Sequence, residues 1–113
     1  ADAYVNRGGI FMVSSRLPEA LLEFGKATHA NPNHENAYLN RANIYTAQSR
    51  YQDALNDYEK VLNINPKNGQ AHLNRGSLLL AQHRQKEAVE SFRKSCDAGN
   101  GTGCDKLKNA LAH

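Results

Sequence analysis

Tryptophan is absent from this 113-residue chain, methionine occurs once, cysteine twice and proline three times. No apolar run approaches the ~20 residues that a membrane-spanning helix needs. No signal-peptide pattern opens the chain, which starts at Ala1 rather than methionine. Excess charge of one sign is also scarce, with a net charge of +3. That excess lies wholly after residue 68, where seven basic side chains face four acidic ones. A nucleic-acid partner is therefore not expected, because it requires a basic stripe interleaved with stacking aromatics. Two cysteines without further ligands do not make a structural zinc site. His29, His34, His72, His83 and His113 include no ligand pair at i,i+4 spacing. No Ser/His/Asp arrangement and no glycine-rich phosphate loop is present, so neither an enzyme nor a cofactor is expected.

What the chain does have is a period. Six of its seven arginines fall on two rows spaced by 34 residues, Arg7/Arg41/Arg75 and Arg16/Arg50/Arg84. Ala3/Ala37/Ala71, Asn6/Asn40/Asn74, Ala20/Ala54/Ala88 and Lys26/Lys60/Lys94 are identical in all three copies. Ile10/Ile44/Leu78, Leu21/Leu55/Val89 and Phe24/Tyr58/Phe92 nearly are. A chain that copies itself at this spacing is built by stacking one small unit, and three units are about the minimum that buries a continuous core.

The second copy carries Tyr38, Ala42, Tyr45, Ala54, Tyr58 and Pro66 in order. The first carries Tyr4, Gly8, Phe11, Ala20, Phe24, Ala27 and Pro32. This order, spacing and period resemble the tetratricopeptide repeat (TPR), a helix–turn–helix unit. The third copy is weaker, with His72 and Leu79 in place of aromatics and Ser95 as a polar small residue. The resemblance implies an all-α fold: a right-handed solenoid of three repeats, 1–34, 35–68 and 69–102, plus a capping helix at about 103–112. All of it forms one domain of seven helices.

Local signals agree with that reading. Ala37, Tyr38, Ala42 and Tyr45 share one helical stripe. Ser49 and Gln52 read as a capping box that starts a second helix. Pro18 suits a helix first turn. Asn31-Pro32 and Asn65-Pro66 close their units, because proline disfavours helix in the residue before it. Gly99 reads as a helix stop, and Thr102 with Asp105 as the capping box of the final helix. Leu107, Ala110 and Leu111 share one face of that helix, whose polar outer face fits a terminal cap. No comparable cap precedes Ala1, which points to sequence upstream.

In this repeat family the first helices of successive units line a concave groove. The resemblance implies that Val5, Asn6, Gly9 and Met12 face it, with Leu39, Asn40, Asn43 and Thr46, then Leu73, Asn74, Ser77 and Leu80. A carboxamide both donates and accepts, so an asparagine row suits the N–H and C=O groups of an extended peptide. The expected function is a protein–protein interaction module or scaffold that takes an extended peptide or a partner helix in this groove. A clamp for a C-terminal carboxylate is disfavoured. It needs lysine or arginine where Val5, Gly9, Gln70 and Asn74 stand, and only Asn40 fits it. The alternative is a structural role, in which the open N-terminal face stacks on further repeats or on a second copy.

Arg7/Arg41/Arg75 replaces a usual leucine of the repeat. Its expected role is to pack its stem between helices and pair its head with Glu23 and Asp57, which Ser91 replaces in the third copy. Arg16/Arg50/Arg84 lies at the turn, either solvated or as a basic edge for an acidic partner. His72 is expected to fill an aromatic core slot. The segment from Cys96 to Cys104 resembles the linker of cysteine-rich solenoids related to this family, where such a pair staples one helix to the next. The pair is thus a candidate disulfide, which would favour an exported or periplasmic protein over a cytoplasmic one.

Overall fold

A computed structural model describes residues 7–10 and 16–112. The chain divides into two compact units, Ala1–Ile64 and Asn65–His113. The first holds helical residues 7–10 followed by α1 (Leu17–Ala30), α2 (Glu35–Ala47) and α3 (Tyr51–Ile64). The second holds α4 (Gly69–Ala81), α5 (Gln85–Asp97) and α6 (Gly101–Leu111). There are no strands among the described residues.

Two kinds of turn repeat along the chain. Ahead of α2 and α4 the turn begins with an asparagine whose side chain accepts from the backbone two residues on. Asn31 Oδ1 accepts from Asn33 N–H, and Asn65 Oδ1 accepts from Lys67 N–H, each at 3.1 Å. The intervening Pro32 and Pro66 keep helix from continuing. A side-chain cap then starts the next helix. His34 Nδ1 accepts from Ala37 N–H at 3.3 Å, and Asn68 Oδ1 accepts from Ala71 N–H at 3.0 Å.

The other turn, within a helix pair, reverses the chain in three residues. After α2, Arg50 N–H donates to Tyr45 O (2.8 Å) and Ser49 N–H to Thr46 O (3.0 Å). After α4, Arg84 N–H donates to Leu79 O (2.9 Å) and His83 N–H to Leu80 O (3.0 Å). This doubly bonded stop requires its middle residue to be left-handed. Ser49 and His83 both have φ 61° there. The third such turn, after α5, places Gly99 in the same role at φ 91°.

Two expected capping boxes are corrected by this geometry. Ser49 is the left-handed turn residue, so its side chain does not start α3, and Gln52 Nε2 donates instead to Asn56 Oδ1. Asn100, not Thr102, caps the last helix, accepting from Gly103 N–H at 3.1 Å. The cause is the turn type. A three-residue turn of the within-pair type follows α5, so α6 starts at Gly101 rather than at Gly103, where the period would place it.

In the first unit the helices meet through Ala20, Ala27, Ala37, Ala42 and Ala54, all fully buried. Methyl-sized side chains let backbones approach, and Phe24, Tyr58 and Val61 fill the space between them. Ile44 of α2 packs on Ala20 and Phe24, with Leu17 and Leu21 beside it. That contact joins one pair to the next.

Arg41 ties the same three helices together. Its Nε and Nη2 donate to the two carboxylate oxygens of Asp57 on α3, both at 2.8 Å. Its Nη1 donates to Thr28 Oγ1 on α1 at 3.4 Å. The Tyr38 and Tyr45 rings lie 5.6 and 5.9 Å from the guanidinium. The bond to Asp57 raises the Arg41 pKa, against the opposing effect of burial.

In the second unit Ala71, Leu78, Leu79, Ala88 and Phe92 form the core. His72 is buried in an aromatic slot of the repeat, its Nε2 hydrogen-bonded to Pro66 O at 2.8 Å. Ser95 is fully buried and donates to Gly69 O at 2.8 Å. A β-carbon at Gly103 would collide with the Ser95 side chain, so glycine there lets α6 lie directly on α5. Cys96 and Cys104 form a disulfide, with their Cα atoms 4.5 Å apart, and staple the same two helices.

Two predictions follow from the turns and the ion pair. A non-glycine residue in the left-handed region costs roughly 1–2 kcal/mol, part of which glycine returns as unfolded-state entropy. Ser49→Gly and His83→Gly should each raise the thermal midpoint by about 2–4 °C. An unchanged or lower midpoint contradicts the left-handed turn. Asp57→Ala should destabilise by about 3 kcal/mol, because it strands a largely buried guanidinium. Denaturant titration checks this. Arg41→Leu combined with Asp57→Leu should recover most of that loss.

Candidate functional site

The groove residues expected on the first helices fall on α2 and α4, except Gly9, which lies partly exposed in helical residues 7–10, and Val5, Asn6 and Met12, which lie outside the described residues. On α2, Leu39, Asn40, Asn43 and Thr46 are all partly exposed. They recur at three- and four-residue intervals and so share one stripe of the helix. On α4, Asn74 is partly exposed, while Ser77 and Leu80 are exposed.

Leu73 departs from the expectation. It is only 8% exposed, so it offers a ligand little surface. The second unit packs both α5 and α6 against α4, and the buried arc of α4 takes in Leu73 along with His72 and Leu79.

The polar residues of the stripe differ in what they already hold. Asn43 Oδ1 accepts from the Tyr58 hydroxyl at 2.6 Å. Asn74 Oδ1 accepts from Gln70 Nε2 at 2.8 Å. Thr46 Oγ1 donates back to Ala42 O at 3.0 Å. Asn40 is the exception, since its carboxamide makes no hydrogen bond to any described residue. Asn43 thus serves the fold as well as the surface. A signal for this was present in the sequence. The second copy alone has a tyrosine hydroxyl where the others have Phe24 and Phe92, and it alone has asparagine where they have Gly9 and Ser77.

The turn arginines do not form a free basic edge. Each meets a carboxylate three residues on: Arg16 with Glu19 at 3.8 Å, Arg50 with Asp53 at 2.8 Å, and Arg84 with Glu87. Arg50 also lies 4.5 Å over the Tyr45 ring. The hydrogen bond from Arg84 holds the Glu87 carboxyl below its usual range. Charge neutralised within a turn adds little to the attraction of an acidic partner. The other arginine row pairs as its sequence suggests. Arg7 Nε lies 3.2 Å from Glu23 Oε2, Arg41 grips Asp57, and Arg75 Nη1 donates to Ser91 Oγ at 2.8 Å.

Among the described residues no group of three or more His, Cys, Asp or Glu side chains is placed to hold a metal ion. No described helix is long and apolar enough to cross a membrane.

Comparison with known proteins places this geometry. A tetratricopeptide repeat family model matches residues 35–68, and a second matches residues 57–90. A search of curated proteins finds no match. Among solved structures, the chain is similar to the first TPR of Spaghetti (RPAP3) bound to HSP90 peptide SRMEEVD. Identity there is 19%, with 97% of this chain and 89% of that chain covered and a TM-score of 0.89. It is similar to the Arabidopsis OM64 TPR domain at 25% identity, over 99% of this chain and 94% of that one, again with a TM-score of 0.89. The P58(IPK) TPR domain shares 27% identity over 98% of this chain and 32% of that chain, with a TM-score of 0.89. The two family models and the matching all-α fold identify the chain as a member of the tetratricopeptide repeat family.

Proposed function

We propose that the chain is a protein-binding scaffold that takes an extended peptide along the exposed stripe of its first helices. The observation that supports it is Asn40. Asparagine is a poor helix former, so a helix-interior carboxamide without an internal partner does not help the fold. It presents one acceptor and two donors, a match for peptide backbone. Leu39, partly exposed beside it, gives a ligand side chain an apolar contact. Asn6 and Asn74 occupy the same place in the flanking copies of the sequence. The first TPR of Spaghetti (RPAP3) was solved with an HSP90 peptide, so a short peptide ligand has a precedent in this fold. The ligand class is expected to differ. Gln70 and Asn74 stand where a carboxylate clamp would need cations, so neutral backbone contacts carry the binding.

A second reading has one observation in its favour. Ile10 is 65% exposed, whereas Ile44, one period on, is 2% exposed against α1. The face bearing Ile10 suits an apolar helix like α1, and a second copy of the chain is the occupant we assign to it. Sedimentation should then show mass rising with concentration, and Ile10→Glu should abolish the rise. A monomer at every concentration contradicts this reading.

The groove is tested by selecting a binding peptide from a library and titrating it against variants. Asn40→Ala should weaken binding by roughly 5- to 100-fold, since it leaves desolvated peptide groups unpaired at about 1–3 kcal/mol. Its thermal midpoint should not fall, because no internal bond is lost and alanine is the better helix former. Arg50→Ala should bind normally. Loss of binding in Arg50→Ala with normal binding in Asn40→Ala would move the functional surface to the turn edge.

A further inference from the structure

The third member of the inner arginine row lacks the partner that the first two have. Arg41 meets both oxygens of Asp57 and the hydroxyl of Thr28. Arg7 meets Glu23. One period beyond Asp57 stands Ser91, and one period beyond Thr28 stands Leu62. Arg75 accordingly keeps a single hydrogen bond, Nη1 to Ser91 Oγ at 2.8 Å. Its Nε and Nη2 donate to no described residue.

The carboxylate that Arg75 influences is already engaged. Arg75 lies close enough to Glu87 to help hold that carboxyl below its usual range. Both Glu87 oxygens, however, accept from Arg84. Ser91 is 1% exposed and fixes one arm of the guanidinium, while Arg75 itself remains partly exposed. The result is a cation restrained at one end, with its planar fork open.

We propose that Arg75, held by Ser91, is a docking point for a carboxylate on a protein partner, an aspartate or glutamate side chain that takes the place Asp57 fills one repeat earlier. The chemistry is set by the chain's own example, since the same arginine position grips a carboxylate through two parallel bonds. Such forks are shorter and stronger than neutral hydrogen bonds, and they select planar anions. The site is separate from the proposed groove. Arg75 lies ~100° around α4 from Asn74 and ~200° from Leu73, off the peptide-binding stripe. A partner could therefore engage both, with the groove reading its backbone and Arg75 an acidic residue.

The test follows the arginine side-chain Nε–H signals by NMR in the intact protein. The probes are a blocked Gly-Glu-Gly peptide and its Gly-Gln-Gly twin at constant ionic strength. The Arg75 signal should move with the glutamate peptide, at lower concentration than the signal of exposed Arg93, and should not move with the glutamine peptide. Arg41 should not respond to either. Ser91→Asp should close the fork internally. It should raise the thermal midpoint and weaken glutamate-peptide binding at Arg75 at least tenfold. Arg75→Leu, which installs the usual residue of the repeat, should fold and remove the response. The proposal is overturned if Arg75 moves no earlier than Arg93, if both peptides act alike, or if Ser91→Asp binds as wild type. A lowered midpoint in Ser91→Asp overturns it as well, because the internal fork would then not form.

Discussion

One guanidinium holds three helices of the first unit in register. Arg41 reaches α1 through Thr28 and α3 through Asp57 while its stem packs from α2. Apolar packing through Ile44, Ala20 and Phe24 supplies most of the adhesion between the same helices, but it is not directional. A planar cation with two parallel bonds to one carboxylate is directional. It fixes how far α2 can slide or turn against its neighbours. The stripe of Leu39, Asn40 and Asn43 inherits that precision, since it lies on the helix that Arg41 anchors. The pair is nearly buried, at 19% and 4% side-chain exposure, so losing one partner is far worse than losing both.

The turns impose the second constraint. Each such reversal among the described residues has one left-handed residue, and at Ser49 and His83 that residue carries a β-carbon. A longer link would avoid that strain. It would also let the helices of a pair separate, and the fully buried alanines Ala42 and Ala54 show how closely they approach. Turn strain and close packing are therefore two sides of the same geometry.

Much of this was legible in the sequence. The period gave the helix pairs, because rows of identical residues identify equivalent positions without any energy calculation. Glu23 and Asp57 could be matched to Arg7 and Arg41 for the same reason. The disulfide followed from likeness to a known linker. What the pattern missed was conformational. Ser49 followed by Gln52 has the letters of a capping box, yet a three-residue turn demands a left-handed Ser49 and overrides it. Asn100 as the final cap was hidden because α6 starts at Gly101 rather than Gly103, which breaks the register on which row-by-row reading depends. Burial of Leu73 was hidden for another reason. It depends on how α4 sits among α5 and α6, and periodicity reports which side of a helix a residue takes, not how far its neighbours cover that side.

The third repeat shows how one scaffold yields different surfaces. Its core tolerates exchange of aromatics for His72 and Leu79 because His72 recovers a polar contact through Pro66 O and Leu79 fills its volume. Its edge tolerates exchange of Asp57 for Ser91 on other grounds. The Cys96–Cys104 disulfide and the Ser95–Gly69 bond already tie the helices of this unit together. An internal ion pair is then no longer needed to hold α4 in place. A guanidinium released from structural duty while still held at one end is chemically available. Ser95 holds α4 to α5 through Gly69 while the disulfide holds α5 to α6, so an open arginine is compatible with an ordered third repeat.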